Sequence, residues 1–183
     1  MRLFVAIDLP GYVREALSEL NESLRGMRWI MSENFHLTLF FLDEVDDAVI
    51  EPVQEALRAI DVAPFFMPVK GLGCFPTKGD PTVLWAGLGN GHPHLFQLQH
   101  RITDALFSLG FDPGERAWQP HITLARCNGA SSELVRQLMK RHVDFETAPV
   151  RVTEYCLYAS QRRGTRRFYE LIESFPLEER LKG

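Results

Sequence analysis

The chain has 183 residues, 45% hydrophobic and 24% charged, which is the make-up of an ordinary globular protein long enough for a well-formed core. Its formal net charge of −4 excludes a protein that coats long nucleic acid by neutralising phosphates, but leaves room for a local basic pocket that takes a nucleotide or an RNA end. Cys74, Cys127 and Cys156 are far apart and odd in number, so they form neither a zinc pattern nor a disulfide framework. A reducing cytosol suits them, and the expected location is cytoplasmic.

The apolar run Leu3–Leu9 is broken by Asp8 and is too short for a signal segment or a membrane span, so it predicts a buried first strand. Val13, Leu17, Leu20 and Leu24 fall at helical spacing. A strand over Phe35–Leu42 follows. Asp46 or Asp47 is placed to cap a second helix with the stripe Val49, Val53, Leu57 and Ile60, and Pro52 is tolerable there only near the start, with a distorted first turn. Strands are predicted over Phe66–Leu72 and Thr82–Leu88, with the Pro/Gly-rich stretch Gly73–Pro81 as the loop between them. A third helix carries Leu95, Leu98, Ile102, Leu106 and Leu109 and ends at Gly110. A strand over His121–Ala125, a short helix over Ser132–Arg141 capped by Ser131, and strands over Val150–Ala159 and Arg167–Ser174 complete the chain.

One pattern occurs twice: His36-Leu37-Thr38-Leu39 and His121-Ile122-Thr123-Leu124. In an extended strand residues i and i+2 share a face, so each copy sets an imidazole and a hydroxyl on one side and apolar residues on the other. A single His-x-Thr in a strand is most simply a core histidine beside a β-branched threonine. Two copies, nearly half the chain apart and each lying between helices, suggest an old duplication into two similar α+β lobes. Burying two imidazoles costs desolvation unless each has a partner, and a shared, water-accessible cleft removes that cost. Two imidazoles can act as general base and general acid in one reaction, and two hydroxyls can donate to the oxygens of one phosphate. The pair thus suggests metal-free chemistry on a phosphodiester.

Phe41 and Arg126 each stand five residues after a histidine. By strand parity both point away from the histidines; a bulge after each threonine would turn both into the cleft. Otherwise Phe41 is core and Arg126 a solvated strand end. His92, His94 and His100 match no familiar zinc spacing and read as a solvated helix start. Arg162-Arg163-Gly164-Thr165-Arg166-Arg167 reads as an exposed hairpin turn or as a basic rim for RNA backbone. No glycine-rich triphosphate loop is present, so ATP dependence is not expected.

The sequence resembles the 2H phosphoesterases, and within them the bacterial and archaeal RNA 2′,3′-cyclic phosphodiesterases, historically called 2′-5′ RNA ligases. The resemblance rests on Arg2–Pro10, Asn34–Leu39 with Phe41-Leu42 and Glu44-Val45, Gly71–Pro76, Val83–Gly87, Pro120–Arg126, Leu157–Ser160, Tyr169-Glu170 and Phe175–Leu177. It implies an α+β fold: two pseudo-symmetric, intimate lobes forming one domain over residues 1–183, with antiparallel sheets lining a central cleft and helices outside. It implies hydrolysis of RNA 2′,3′-cyclic phosphate ends to 2′-phosphates, with weak reverse 2′-5′ ligation and no metal or other cofactor. His36 would be the proton donor and His121 the acceptor, Thr38, Thr123 and Arg126 would hold phosphate, and Phe41 would stack on the terminal base. The family often has a lysine where Phe40 stands and a glycine where Asp43 stands. By parity Phe40 shares the histidine face, so a cleft charge would be missing. The expected partners are RNA 3′ ends or small cyclic nucleotides, without a membrane, and the expected state is a monomer. Two alternatives stay open: a phosphodiesterase of small cyclic phosphates, such as a nucleotide or an ADP-ribose derivative, and a non-catalytic nucleotide- or RNA-binding module.

Overall fold

The computed structural model describes residues 1–178; residues 179–183 of the expected 1–183 unit lie outside the described residues. Ten strands and four helices follow one another as β1 (Arg2–Asp8), α1 (Gly11–Ser18), β2 (Met27–Trp29), β3 (His36–Glu44), α2 (Ile50–Arg58), β4 (Phe65–Met67), β5 (Leu72–Phe75), β6 (Val83–Ala86), α3 (Pro93–Phe107), β7 (Ile122–Cys127), α4 (Ser132–Arg141), β8 (Val150–Val152), β9 (Glu154–Arg163) and β10 (Arg166–Pro176) among the described residues.

Eight strands form one sheet in the order β10-β9-β1-β3-β7-β6-β5, with β2 on β7, and β4 and β8 make a small second sheet. Every strand pair in both sheets is antiparallel. Apart from β2, the topology repeats an element order. β1-α1-β3-α2 and β6-α3-β7-α4 are the same unit, a strand and helix leading to a His-x-Thr strand that pairs back on the first strand, with a helix after it. The two units meet where Leu37 pairs with Ile122, and again where β4, which follows α2, pairs with β8, which follows α4. Leu37 and Ile122 are fully buried in a core that also takes Val13 and Leu17 of α1, Val53 and Leu57 of α2, Leu98 and Ile102 of α3 and Val135 and Leu138 of α4.

Most predicted elements are present, and the differences have local causes. Helix α1 stops at Ser18, yet Leu20 is buried and Leu24 half-buried, so their helical spacing reports core contact made by a turn. The turn before α2, Asp47–Val49, is 3₁₀, because Pro52 lacks the N–H that would bond back into it. Helix α3 starts with Pro93 after His92, whose Nδ1 accepts from the His94 N–H at 3.1 Å; this histidine is a cap. Ser131 caps α4 through Leu134 N–H at 3.4 Å.

Neither Asp46 nor Asp47 caps α2 with its side chain, and the expected strand boundaries fail at two places. The predicted strand Phe66–Leu72 is two strands, β4 and β5, and β5 runs through Gly73–Phe75, part of the predicted loop. Glycine there is required by packing, as shown below. The predicted strand Val150–Ala159 is likewise split at Thr153 between the small sheet and the large one. The edge strand β2 has no sequence signal beyond Met27 to Trp29. Asp43 takes a left-handed φ of 57°, a conformation that suits glycine and that aspartate tolerates better than most residues.

Candidate active site

The register at the meeting of the two units builds the site. Cross-strand partners share a face, so Leu37 and Ile122 both point into the core. Extended by one residue in either direction, that antiparallel register sets His36 beside Thr123 and Thr38 beside His121 on the opposite face. All four side chains are half-buried there. Each histidine therefore neighbours the other copy's threonine.

Both imidazoles are anchored in the same way. His36 Nδ1 lies 2.7 Å from the Asn34 carbonyl, and His121 Nδ1 lies 2.8 Å from the Gln119 carbonyl. A carbonyl oxygen only accepts, so in each ring Nδ1 carries the proton and donates it, which leaves Nε2 to exchange protons with a substrate. The rings are also clamped by aromatics. His36 meets Phe4 at 5.0 Å and the edge of Tyr169 at 5.2 Å, while His121 meets Phe75 edge-on at 5.0 Å and Trp85 at 6.3 Å.

A bulge follows each threonine. On β3 the pairing steps from Ala6 with Thr38 to Val5 with Phe40, and on β7 it steps from Trp85 with Thr123 to Leu84 with Ala125. Each bulge inserts one residue, Leu39 or Leu124, and inverts the parity beyond it. Phe41 then stands on the histidine side, 64% exposed, its ring 6.2 Å from Phe4. Arg126 is exposed between the buried Ala125 and Cys127, and its charge reaches Tyr169, the ring against His36. The reading of Phe41 as core is wrong. So is the placement of Phe40 on the histidine face: it is 5% exposed and belongs to the core, so no cleft charge is lost at that position.

Several residues at the site have no site role assigned from the sequence. Trp118 Nε1 donates to the Thr38 carbonyl at 3.1 Å, tying the loop before His121 to the other copy of the motif. Exposed Arg28 on β2 stands directly across from Arg126. Asp8 pairs across β1 with His36, accepts from Tyr158 Oη and lies 3.8 Å from the Arg14 guanidinium. A cavity of about 250 Å³ beside His36 is lined by Phe4, Asp8, Asn34, Tyr158 and Tyr169, among others.

Burial holds His36 below the ordinary imidazole pKa, and the charges of Arg14 and His121 act in the same direction; the Asn34 carbonyl and Asp8 partly offset this by favouring the imidazolium. Asp8→Asn removes one of the two opposing influences, so the His36 pKa falls further. In a kcat/KM–pH profile the break owed to His36 should move to lower pH while the other break stays; an unmoved profile would show that Asp8 does not act on His36.

Gly73 belongs to β5 rather than to a loop because of its packing. It pairs with Trp85, and a Cβ on Gly73 would fall 2.1 Å from Trp85 Cζ2. The indole lies flat across the glycine and backs His121 from there. Gly73→Ala should displace Trp85, destabilise the fold by about 1–3 kcal/mol and lower turnover; an unchanged melting temperature with full activity would show that the contact is dispensable.

The comparisons with known proteins agree with this architecture. The family profile described as LigT like Phosphoesterase matches residues 7–85 and 88–169. An RNA 2′,3′-cyclic phosphodiesterase of Thermotoga maritima is 34% identical over 178 residues, 94% of this chain and 93% of its own. The crystal structure of TT0787 of Thermus thermophilus superposes with a TM-score of 0.83 at 25% identity, covering 98% of this chain and 99% of that one. The crystal structure of E. coli LigT complexed with 3′-AMP gives a TM-score of 0.80 at 26% identity, covering 96% and 97%. With a profile matching nearly end to end and both His-x-Thr strands meeting on one face, the chain belongs to the LigT-like phosphoesterase family.

Proposed function

We propose that this phosphoesterase opens RNA 2′,3′-cyclic phosphate ends to 2′-phosphates, with its two lobes acting as one domain and a monomer as the working unit. The observation that carries the reading is the pair of imidazoles, each held at Nδ1 by the carbonyl two residues before it and each beside the other copy's threonine. The name of the Thermotoga maritima relative and the 3′-AMP held by LigT support the substrate class.

In this mechanism a water oxygen attacks phosphorus and gives its proton to neutral His121 at Nε2. The bond from phosphorus to the 3′ oxygen breaks, and that oxygen takes the proton from Nε2 of His36. The ribose keeps its 2′-phosphate. Asp8 helps His36 hold the proton it must give, against the burial that opposes it. Thr38 and Thr123 donate to the non-bridging oxygens as their charge grows. Arg126, with Arg28 across from it, binds phosphate, and exposed Phe41 offers a ring to the terminal base. The two imidazoles supply both acid and base, so the reaction needs no metal. Run backwards on a 5′-hydroxyl end, the same groups join RNA weakly through a 2′-5′ bond. None of the helices among the described residues is long and apolar enough to cross a membrane.

The test is incubation of the protein, with excess chelator, with a short RNA ending in a 2′,3′-cyclic phosphate, beside a 2′,3′-cyclic mononucleotide. A 2′-phosphomonoester from the RNA is the expected product. Turnover of the mononucleotide alone would move the substrate to small cyclic phosphates. Saturable binding without turnover of either would make the chain a binding module.

A further inference from the structure

We infer that the β9–β10 hairpin is a binding surface for the body of the RNA, the nucleotides upstream of the cyclic end; the substrate part of this inference rests on the reading above. Four arginines, Arg162, Arg163, Arg166 and Arg167, crowd its tip in a chain whose net charge is −4. Arg163 stands directly across from Arg166, and Arg162 directly across from Arg167. Like charges placed opposite each other destabilise a strand pair, and no acidic side chain bonds to any of the four among the described residues. The bonds they do make leave the charge unanswered: Arg162 Nε donates to the Gly164 carbonyl at 3.1 Å, and Arg163 lies 5.7 Å over the ring of Phe168. An arrangement of this kind fits a polyanion.

Two further observations make that polyanion RNA. Phe168 is 42% exposed among the arginines, and an open aromatic ring within a basic surface stacks bases of any sequence. The hairpin is also attached to the active site. Asn34, whose carbonyl anchors His36, donates from Nδ2 to the Arg167 carbonyl at 3.1 Å, and Tyr169 of β10 touches the His36 ring. Arg167 shares a strand face with Tyr169, and its charge reaches that phenol, as does that of Arg126. Arg167 and its cross-strand partner Arg162 therefore carry the positive surface from the site toward the tip, where Arg163 and Arg166 add their charge from the other face of the hairpin. From Tyr169 to the turn is roughly 10–15 Å of strand, a reach of a few nucleotides. The chemistry of the end agrees. If His36 protonates the 3′ oxygen, C3′ lies on its side of the cleft, and C4′ and C5′, which lead to the rest of the RNA, follow from C3′.

The test compares wild type with the triple variant R162Q/R163Q/R166Q; Arg167 is kept because its charge reaches Tyr169. Relief of the opposed like charges offsets the loss of the Arg162–Gly164 and Arg163–Phe168 contacts, so the melting temperature should stay close to wild type. For an RNA hexamer with a 2′,3′-cyclic end, KM should rise about tenfold with kcat held within about twofold. For a 2′,3′-cyclic mononucleotide, kcat/KM should not change. Affinity for a fluorescent RNA hexamer with a plain 3′ end, read by anisotropy, should fall about tenfold, and its log–log salt dependence should flatten by about 1.4, or about 0.7 per lost phosphate contact for two contacts. That binding loss in a protein without cyclic-end turnover would keep the hairpin assignment and reject only the substrate reading. Equal RNA affinity and equal salt slope in the two proteins would overturn it whatever the turnover. Tighter binding of polyglutamate than of RNA would overturn it in favour of an acidic protein partner.

Discussion

His36→Ala and His121→Ala should each lower turnover of a 2′,3′-cyclic phosphate by about 10²–10⁴-fold, the size of a positioned acid or base in a proton-transfer step, with little change in KM. The loss is chemical because neither ring belongs to the core. Both are half-buried on the cleft face, while Leu37 and Ile122 between the motifs carry the packing. The melting temperature should therefore stay close to wild type. The two losses should not add: once one proton transfer is missing the other has no partner step, so the double variant should fall little below the worse single one. Either variant retaining more than about a tenth of wild-type turnover would remove that histidine from the acid–base pair.

Thr38→Val and Thr123→Val should each cost about 10²–10³-fold in kcat, the scale of one donor lost from a developing oxyanion. Valine keeps the β-branched shape that a strand favours and removes only the hydroxyl, so the sheet is kept. The backbone at Thr38 is also fixed from outside, by the Trp118 Nε1 bond to its carbonyl. A hydroxyl that acts on the transition state should lower kcat more than it raises KM, and Thr→Ser at either position should restore most of the activity. A change confined to KM would place the threonines in ground-state binding alone.

The sequence carried the ends of this account better than its middle. The paired His-x-Thr motifs, their helical surroundings and the repeated element order were all legible, because a period-2 strand pattern and a 3.6-residue helical pattern are local properties. The orientation of Phe41 and Arg126 stayed open between strand parity and a bulge, and Phe40 was placed on the wrong face. A bulge is a property of two strands in register, and nothing in the run Leu39-Phe40-Phe41 marks which residue is extra. Gly73 was misread for a similar reason: a glycine that makes room for Trp85 looks the same in sequence as one that makes a turn. Trp118, Asp8 and Arg28 reach the site from other strands and loops. Asp8 is 28 residues before His36 in sequence yet pairs with it across β1 and β3, so only the folded register makes it a neighbour. The anchoring carbonyls of Asn34 and Gln119 are backbone groups, which side-chain motifs do not record.

The pH dependence of kcat/KM on a cyclic-phosphate RNA tests the central claim most directly, because it reads the protonation of both imidazoles in the free enzyme. One histidine must be neutral and the other protonated, so the wild type should give a bell with two breaks, the one owed to His36 lying below the ordinary imidazole value because burial dominates there. A profile that stays flat from mildly acidic to mildly basic pH would contradict paired acid–base catalysis by His36 and His121.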